Sequence, residues 1–112
     1  MTQYRQGDIL LVRVPAPSFR EEGHRLRIDA RALVDGRLIL AYGEATGHAH
    51  AIEAPTAELL VDASGRRRFL RTTERSRLVH EEHDPIDLDP GWYEVVRQRQ
   101  YEPWLFSVDV AD

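Results

Sequence analysis

Cysteine is absent from this chain of 112 residues. There is therefore no disulfide framework, no thiolate nucleophile and no sulfur ligand, and any metal site has to use histidine nitrogen and carboxylate oxygen. Long apolar runs are missing too. No stretch approaches the roughly 20 residues a helix needs to cross a bilayer, and the start, Met1-Thr2-Gln3-Tyr4-Arg5-Gln6-Gly7, lacks the apolar segment of a secretory signal. The expectation is a cytoplasmic protein with no membrane partner. Positive charge is not in excess either: the net charge is −4, which gives no general attraction for phosphate backbones or anionic surfaces. No internal repeat or low-complexity tract is present.

What is present is an ordinary globular composition, 42% hydrophobic and 30% charged, so the chain is expected to fold. Its length fits one domain, residues 1–112, with a modest core.

The apolar pattern is that of strands. Ile9-Leu10-Leu11-Val12-Arg13-Val14 runs from Gly7-Asp8 to Pro15-Ala16-Pro17, a β-rich stretch between turn residues. Residues 18–31 are polar, alternate weakly at His24-Arg25-Leu26-Arg27-Ile28, and fit a loop, a short helical turn or an edge strand. Asp35-Gly36 is the strongest hairpin signal, because a type I′ turn needs positive φ at both central residues. It introduces a strand over 37–42. Further strands are predicted at 48–53, 57–61, 68–72, 76–80 and 92–97, with Ile86 and Leu88 on one face ahead of Pro90-Gly91, and Trp104 to Val108 as a last strand or a cover over the core. Short strands separated by turns indicate an all-β single domain, a small barrel or sandwich.

Four of the five histidines fall in two clusters, His48-Ala49-His50 and His80-Glu81-Glu82-His83. Side chains on a strand alternate with a period of two, so His48 and His50 project from one face roughly 7 Å apart and both can reach one ion. Neutral imidazole suits zinc, copper, iron and nickel. His80 and His83, three residues apart, meet on a helix or tight turn but split to opposite faces of a regular strand. Pro85 suggests a strand that ends at His80 with His83 in the following turn. The helical zinc-protease motif is excluded, since its histidines are four residues apart. Glu53 is a candidate carboxylate ligand or tautomer-fixing partner, and Glu44, Glu81 and Glu82 are candidate general bases.

Arginine is concentrated at Arg66-Arg67-Arg68, Arg71, Arg75 and Arg77. The plainer reading is a solvated hairpin face paired with Glu74, Glu81 and Glu82. The functional one is a partner-binding surface, with Arg66, Arg67, Arg68 and Arg71 beside exposed aromatics such as Trp92, Tyr93, Tyr101 and Trp104.

The order Gly43, His48-x-His50, Glu53, then Pro90-Gly91-Trp92 after a strand, resembles the metal motifs of the cupins, small β-barrel proteins that hold an ion with a His-x-His pair, a glutamate and a third histidine. The match is partial: four residues separate Gly43 from His48 and two separate His50 from Glu53, each one short of the cupin spacing, and no histidine follows Pro90-Gly91. The resemblance implies a β-barrel in which His80 or His83 supplies the third nitrogen. The wider pattern, Gly43-Glu44-Ala45-Thr46-Gly47-His48-Ala49-His50 with His80-Glu81-Glu82-His83 and Pro90-Gly91-Trp92-Tyr93-Glu94-Val95, also looks like a group of small uncharacterised phage and bacterial proteins.

Two functions follow as expectations. One is a metal-binding β protein that carries a divalent transition metal (zinc, iron, nickel or manganese) on His48, His50, His80 and His83 or Glu53, and hydrolyses a small-molecule substrate or acts as a cupin-like enzyme. The other is a non-enzymatic module that docks on a protein or RNA through the arginine segment. Four histidines beside acidic residues also allow a homo-oligomer whose interface responds to pH.

Overall fold

Alternating apolar and polar residues become strands throughout the computed structural model, which describes residues 2–16, 25–43, 47–53 and 57–98. The strands are β1 (Gln3–Gln6), β2 (Ile9–Val14), β3 (Arg27–Ile28), β4 (Leu33–Val34), β5 (Arg37–Tyr42), β6 (Ala49–Glu53), β7 (Ala57–Val61), β8 (Arg68–Thr72), β9 (Ser76–Val79), β10 (Ile86–Leu88) and β11 (Gly91–Arg97). A 3-10 turn, Ala30–Ala32, precedes β4 and is capped by the Asp29 carboxylate, which accepts from Arg31 N at 3.2 Å. Among the described residues no helix is long and apolar enough to cross a membrane. His24, Glu44, Tyr101 and the expected strand from Trp104 to Val108 lie outside the described residues.

The strands form two antiparallel sheets, β1-β2-β11-β8-β7-β3 and β10-β9-β6-β5-β4. Each sheet ends in edge strands, so the fold is a sandwich and the barrel expectation is corrected. Asp35 (φ 52°) and Gly36 (φ 75°) both take the left-handed conformation that a type I′ turn between β4 and β5 requires. The polar strand β1 is a sequence miss. Its alternation is visible only when Tyr4 and Gln6 are counted as inward-facing, Tyr4 packing on the core and Gln6 being buried.

The core between the sheets takes alternate residues of the longer strands and single residues of β9 and β10: Ile9 and Leu11, Leu38 and Leu40, Leu59, Leu70, Leu78, Leu88, Tyr93 and Val95. Truncating one of the fully buried leucines to alanine typically costs about 2–5 kcal/mol. In β6 the core-facing residue is Ile52, and the same face carries His50. Ala49 and Ala51 point the other way and form a small buried cluster with Ile39. Between Ile39 and Ala41 the pairing of β5 with β6 slips by one residue, a β-bulge, and Arg68 from the facing sheet donates to the Leu40 carbonyl at 2.5 Å.

Candidate metal site

Register assembles the site. Strands β6 and β9 pair antiparallel through Ala51↔Val79 and Ile52↔Leu78. Continuing that register past the end of β9 sets His50 opposite His80, Ala49 opposite Glu81 and His48 opposite Glu82. Contacts follow it: the His50 and His80 rings lie 4.3 Å apart, Ala49 N donates to Glu81 Oε1 at 2.8 Å, and His48 Nδ1 lies 3.4 Å from Glu82 Oε1. His83, in the bend beyond, closes the group at 4.7 Å from His80 and 6.0 Å from His50, ring centre to ring centre. The two histidine clusters, 30 residues apart in sequence, therefore meet.

Within this group His48, His80 and Glu81 each offer a ligand atom, and the three atoms lie within 4.8 Å of one another. A tetrahedral ion with bonds of about 2.0–2.1 Å holds its ligands roughly 3.3 Å apart. Side-chain rotation of exposed Glu81 and half-buried His80 can supply the difference. Glu82 Oε1 lies 3.4 Å from His48 Nδ1, a placement that favours the ring proton on Nδ1 with Nε2 free for an ion. His80 is held differently: its Nδ1 accepts from Glu82 N at 3.0 Å, so in the metal-free chain its proton is on Nε2.

His50 is deeper, 1% exposed. Its Nδ1 meets Gln6 Oε1 at 2.9 Å and its Nε2 lies 3.2 Å from Asp8 Oδ1. Burial, together with the neighbouring His80, pushes its pKa down to about 4 against the opposing pull of Asp8. His80 is also lowered, first by burial and then by His83. Burial disfavours the charge on Asp8, but Arg97 outweighs it: Nε donates to Asp8 Oδ2 at 2.9 Å and the carboxyl falls below its ordinary value. Glu81 is lowered chiefly by the hydrogen bond from Ala49 N.

Glu53, an expected ligand, is exposed at the end of β6 and, three residues from His50, stands on the opposite face. The carboxylate that joins the histidines is Glu81 instead. Gln6 and Asp8 were missed by sequence reasoning. Gly7-Asp8 reads there only as a turn, yet the β1–β2 hairpin carries both residues to the histidines from the other sheet.

The chain belongs to the family described as Domain of unknown function (DUF8820), whose model matches residues 5–98. That span includes Gln6, Asp8 and all four clustered histidines. No curated protein and no solved structure matches the chain.

The arginines are engaged by carboxylates other than those expected. Arg67 forms a two-pronged pair with Glu94 at 3.0 and 3.1 Å, Arg71 pairs with Glu58, and Arg77 and Arg75 reach Asp87 at 3.1 and 3.9 Å, Arg75 also meeting Asp89 at 3.2 Å. Arg68 is half-buried on the Leu40 carbonyl, and Arg66 N donates within the turn to Asp62 Oδ1 and Ser64 Oγ, each at 3.1 Å. Of the four arginines expected to face a partner, Arg67 and Arg71 are paired with carboxylates within the fold. Tyr93, expected among exposed aromatics, is a fully buried core residue whose hydroxyl donates to the Asp89 carbonyl at 2.6 Å. A cavity of about 560 Å³ lined by residues such as Ile28, Leu33, Leu38 and Leu59 shares no residue with the histidine group.

Proposed function

We propose that this protein is a metal-binding β sandwich that holds one divalent transition ion on His48, His80 and Glu81 and uses its open coordination position for hydrolysis. The observation that carries the reading is the convergence of these three ligand atoms, from two chain segments, within 4.8 Å. Nitrogen and oxygen donors of this kind suit zinc, iron, nickel or manganese. Three protein ligands leave a position for water, and an ion such as zinc can bring that water's pKa down to about 7, producing hydroxide at neutral pH. Glu82 serves this site by orienting His48.

Elemental mass spectrometry on chain purified without chelator tests the binding, with His48→Ala and His80→Ala variants alongside. One equivalent of bound transition metal that each variant loses relative to wild-type chain supports the reading; wild-type chain that takes up no zinc, nickel, iron or manganese on incubation removes it. Metal-dependent turnover of p-nitrophenyl acetate or p-nitrophenyl phosphate then tests hydrolysis.

A further inference from the structure

Gln6 is 3% exposed, and its Nε2 donates to two backbone carbonyls, Leu78 O at 3.3 Å and Asp84 O at 3.0 Å. Turning the amide over would press its oxygen against both carbonyl oxygens, so the amide's orientation is fixed. Gln6 Oε1 then faces His50 Nδ1, and because a carbonyl oxygen only accepts, Nδ1 carries the ring proton. A neutral imidazole has one N–H. His50 Nε2 is left as a lone pair, in a side chain 2% exposed, 3.2 Å from Asp8 Oδ1. Asp8 cannot turn away, since Arg97 holds its other oxygen. Two acceptors lie 3.2 Å apart.

We propose that His50 Nε2 and Asp8 Oδ1 are ligands of a second divalent transition ion, next to the first, with His83 as the third protein ligand. Two neighbouring ligands on an ion with bonds of about 2.0–2.1 Å lie roughly 2.9–3.4 Å apart at angles between octahedral and tetrahedral, which brackets the observed spacing. His83 stands at the rim of this pair: its ring centre is 6.0 Å from that of His50 and its Nε2 lies against Gly7, so its exposed side chain has to turn to bring that nitrogen to the ion. Asp8 keeps 27% of its side chain exposed, which gives an ion its way in. Gln6 is a positioning residue that commits the lone pair of His50. His80 stands between the subsites, 4.3 Å from His50 and 4.7 Å from His83, so the two ions would share a wall. This deepens the reading of His48, His80 and Glu81 as a metal site.

Zinc stoichiometry by native mass spectrometry tests it on the full chain. Two equivalents are expected on wild-type protein, and one on Asp8→Asn, which keeps the size of the side chain. One equivalent on both proteins, or two on both, overturns the second subsite and leaves the first intact; none on wild-type protein removes both. Should Asp8→Asn fail to fold, long-range 15N–1H NMR correlations of His50 in wild-type chain decide. An unprotonated Nε2 in chelator-treated protein whose resonance moves on addition of zinc supports the subsite. A ring protonated on both nitrogens and indifferent to zinc means that Asp8 and His50 share a proton, and overturns it.

Discussion

Gln6 and His50 form a hydrogen bond of 2.9 Å that crosses from one sheet of the sandwich to the other, at the end of the interface where the apolar core stops. Its other end is tied by the two carbonyls that Gln6 Nε2 serves. Gln6→Leu preserves bulk but strands His50 Nδ1–H and both carbonyls. Buried unpaired groups cost about 1–3 kcal/mol each, so a loss near 3 kcal/mol is expected from urea denaturation of chelator-treated protein. A loss below about 1 kcal/mol would show that the amide does not hold the ring.

Acid should weaken the metal-free fold through His50. Its folded pKa of about 4 lies below the ordinary 6.5, so between these values the unfolded chain binds a proton that the folded chain refuses. The contribution is complete above the unfolded value and is lost as pH falls through the folded one. A shift of this size corresponds to about 3 kcal/mol. Denaturant midpoints measured in chelator from pH 7 to pH 4 should fall, and His50→Asn should flatten the dependence over that window.

A side chain at Gly7 should displace His83. The Gly7 φ of 59° is left-handed, and a Cβ there would lie 2.7 Å from His83 Nε2. Gly36, with φ 75° and open space around it, is the control. Both changes to alanine carry the left-handed backbone cost of roughly 1–2 kcal/mol, but only Gly7→Ala should also shift the His83 ring resonances. Equal spectra around His83 in the two variants would count against the close approach.

Zinc should break a hydrogen bond. His80 Nδ1 accepts from Glu82 N in the metal-free chain. An ion on Nδ1 displaces that N–H, and an ion on Nε2 sends the ring proton to Nδ1, where it opposes the same N–H. Either way the Glu82 amide resonance should move on zinc addition and its hydrogen exchange should quicken; an amide untouched by zinc would place the ion away from His80.

The arginine face should matter little to stability. Arg67 and Glu94 form an exposed pair, side chains 51% and 25% accessible, and Arg67 also lies over the Phe69 ring at 5.1 Å. Arg67→Ala should cost under about 1 kcal/mol by thermal or urea unfolding and leave zinc stoichiometry unchanged. A larger loss would mark the guanidinium–ring contact as the stronger part.

Strands with β-branched or leucine-rich alternation were legible because period two is a local property: β2, β5, β7 and β8 begin and end where turn residues predict. Asp35-Gly36 was legible because few residue pairs accept two positive φ angles. The site was legible by halves. His48 and His50 share a face by the same period, and that period also excludes Glu53 from it. The meeting of His50 with His80 depends on which strands pair and in what register, information spread over 30 residues. Gln6 and Asp8 come from the opposite sheet, and a glutamine in a polar strand carries no mark in sequence that its amide will be buried.

Strand β11 is the last described strand in the chain, yet it lies inside its sheet, between β2 and β8. Until Arg97 has left the ribosome, β2 and β8 each present an unpaired edge, and Asp8 lacks the guanidinium that anchors it. Everything up to β11 must therefore be synthesised before this sheet can close. Pairing of such high sequence separation is slow, and open edges recruit other chains while it waits. A nascent chain stalled before residue 91 is the form of this protein most exposed to aggregation, and the form that a chaperone would have to shield.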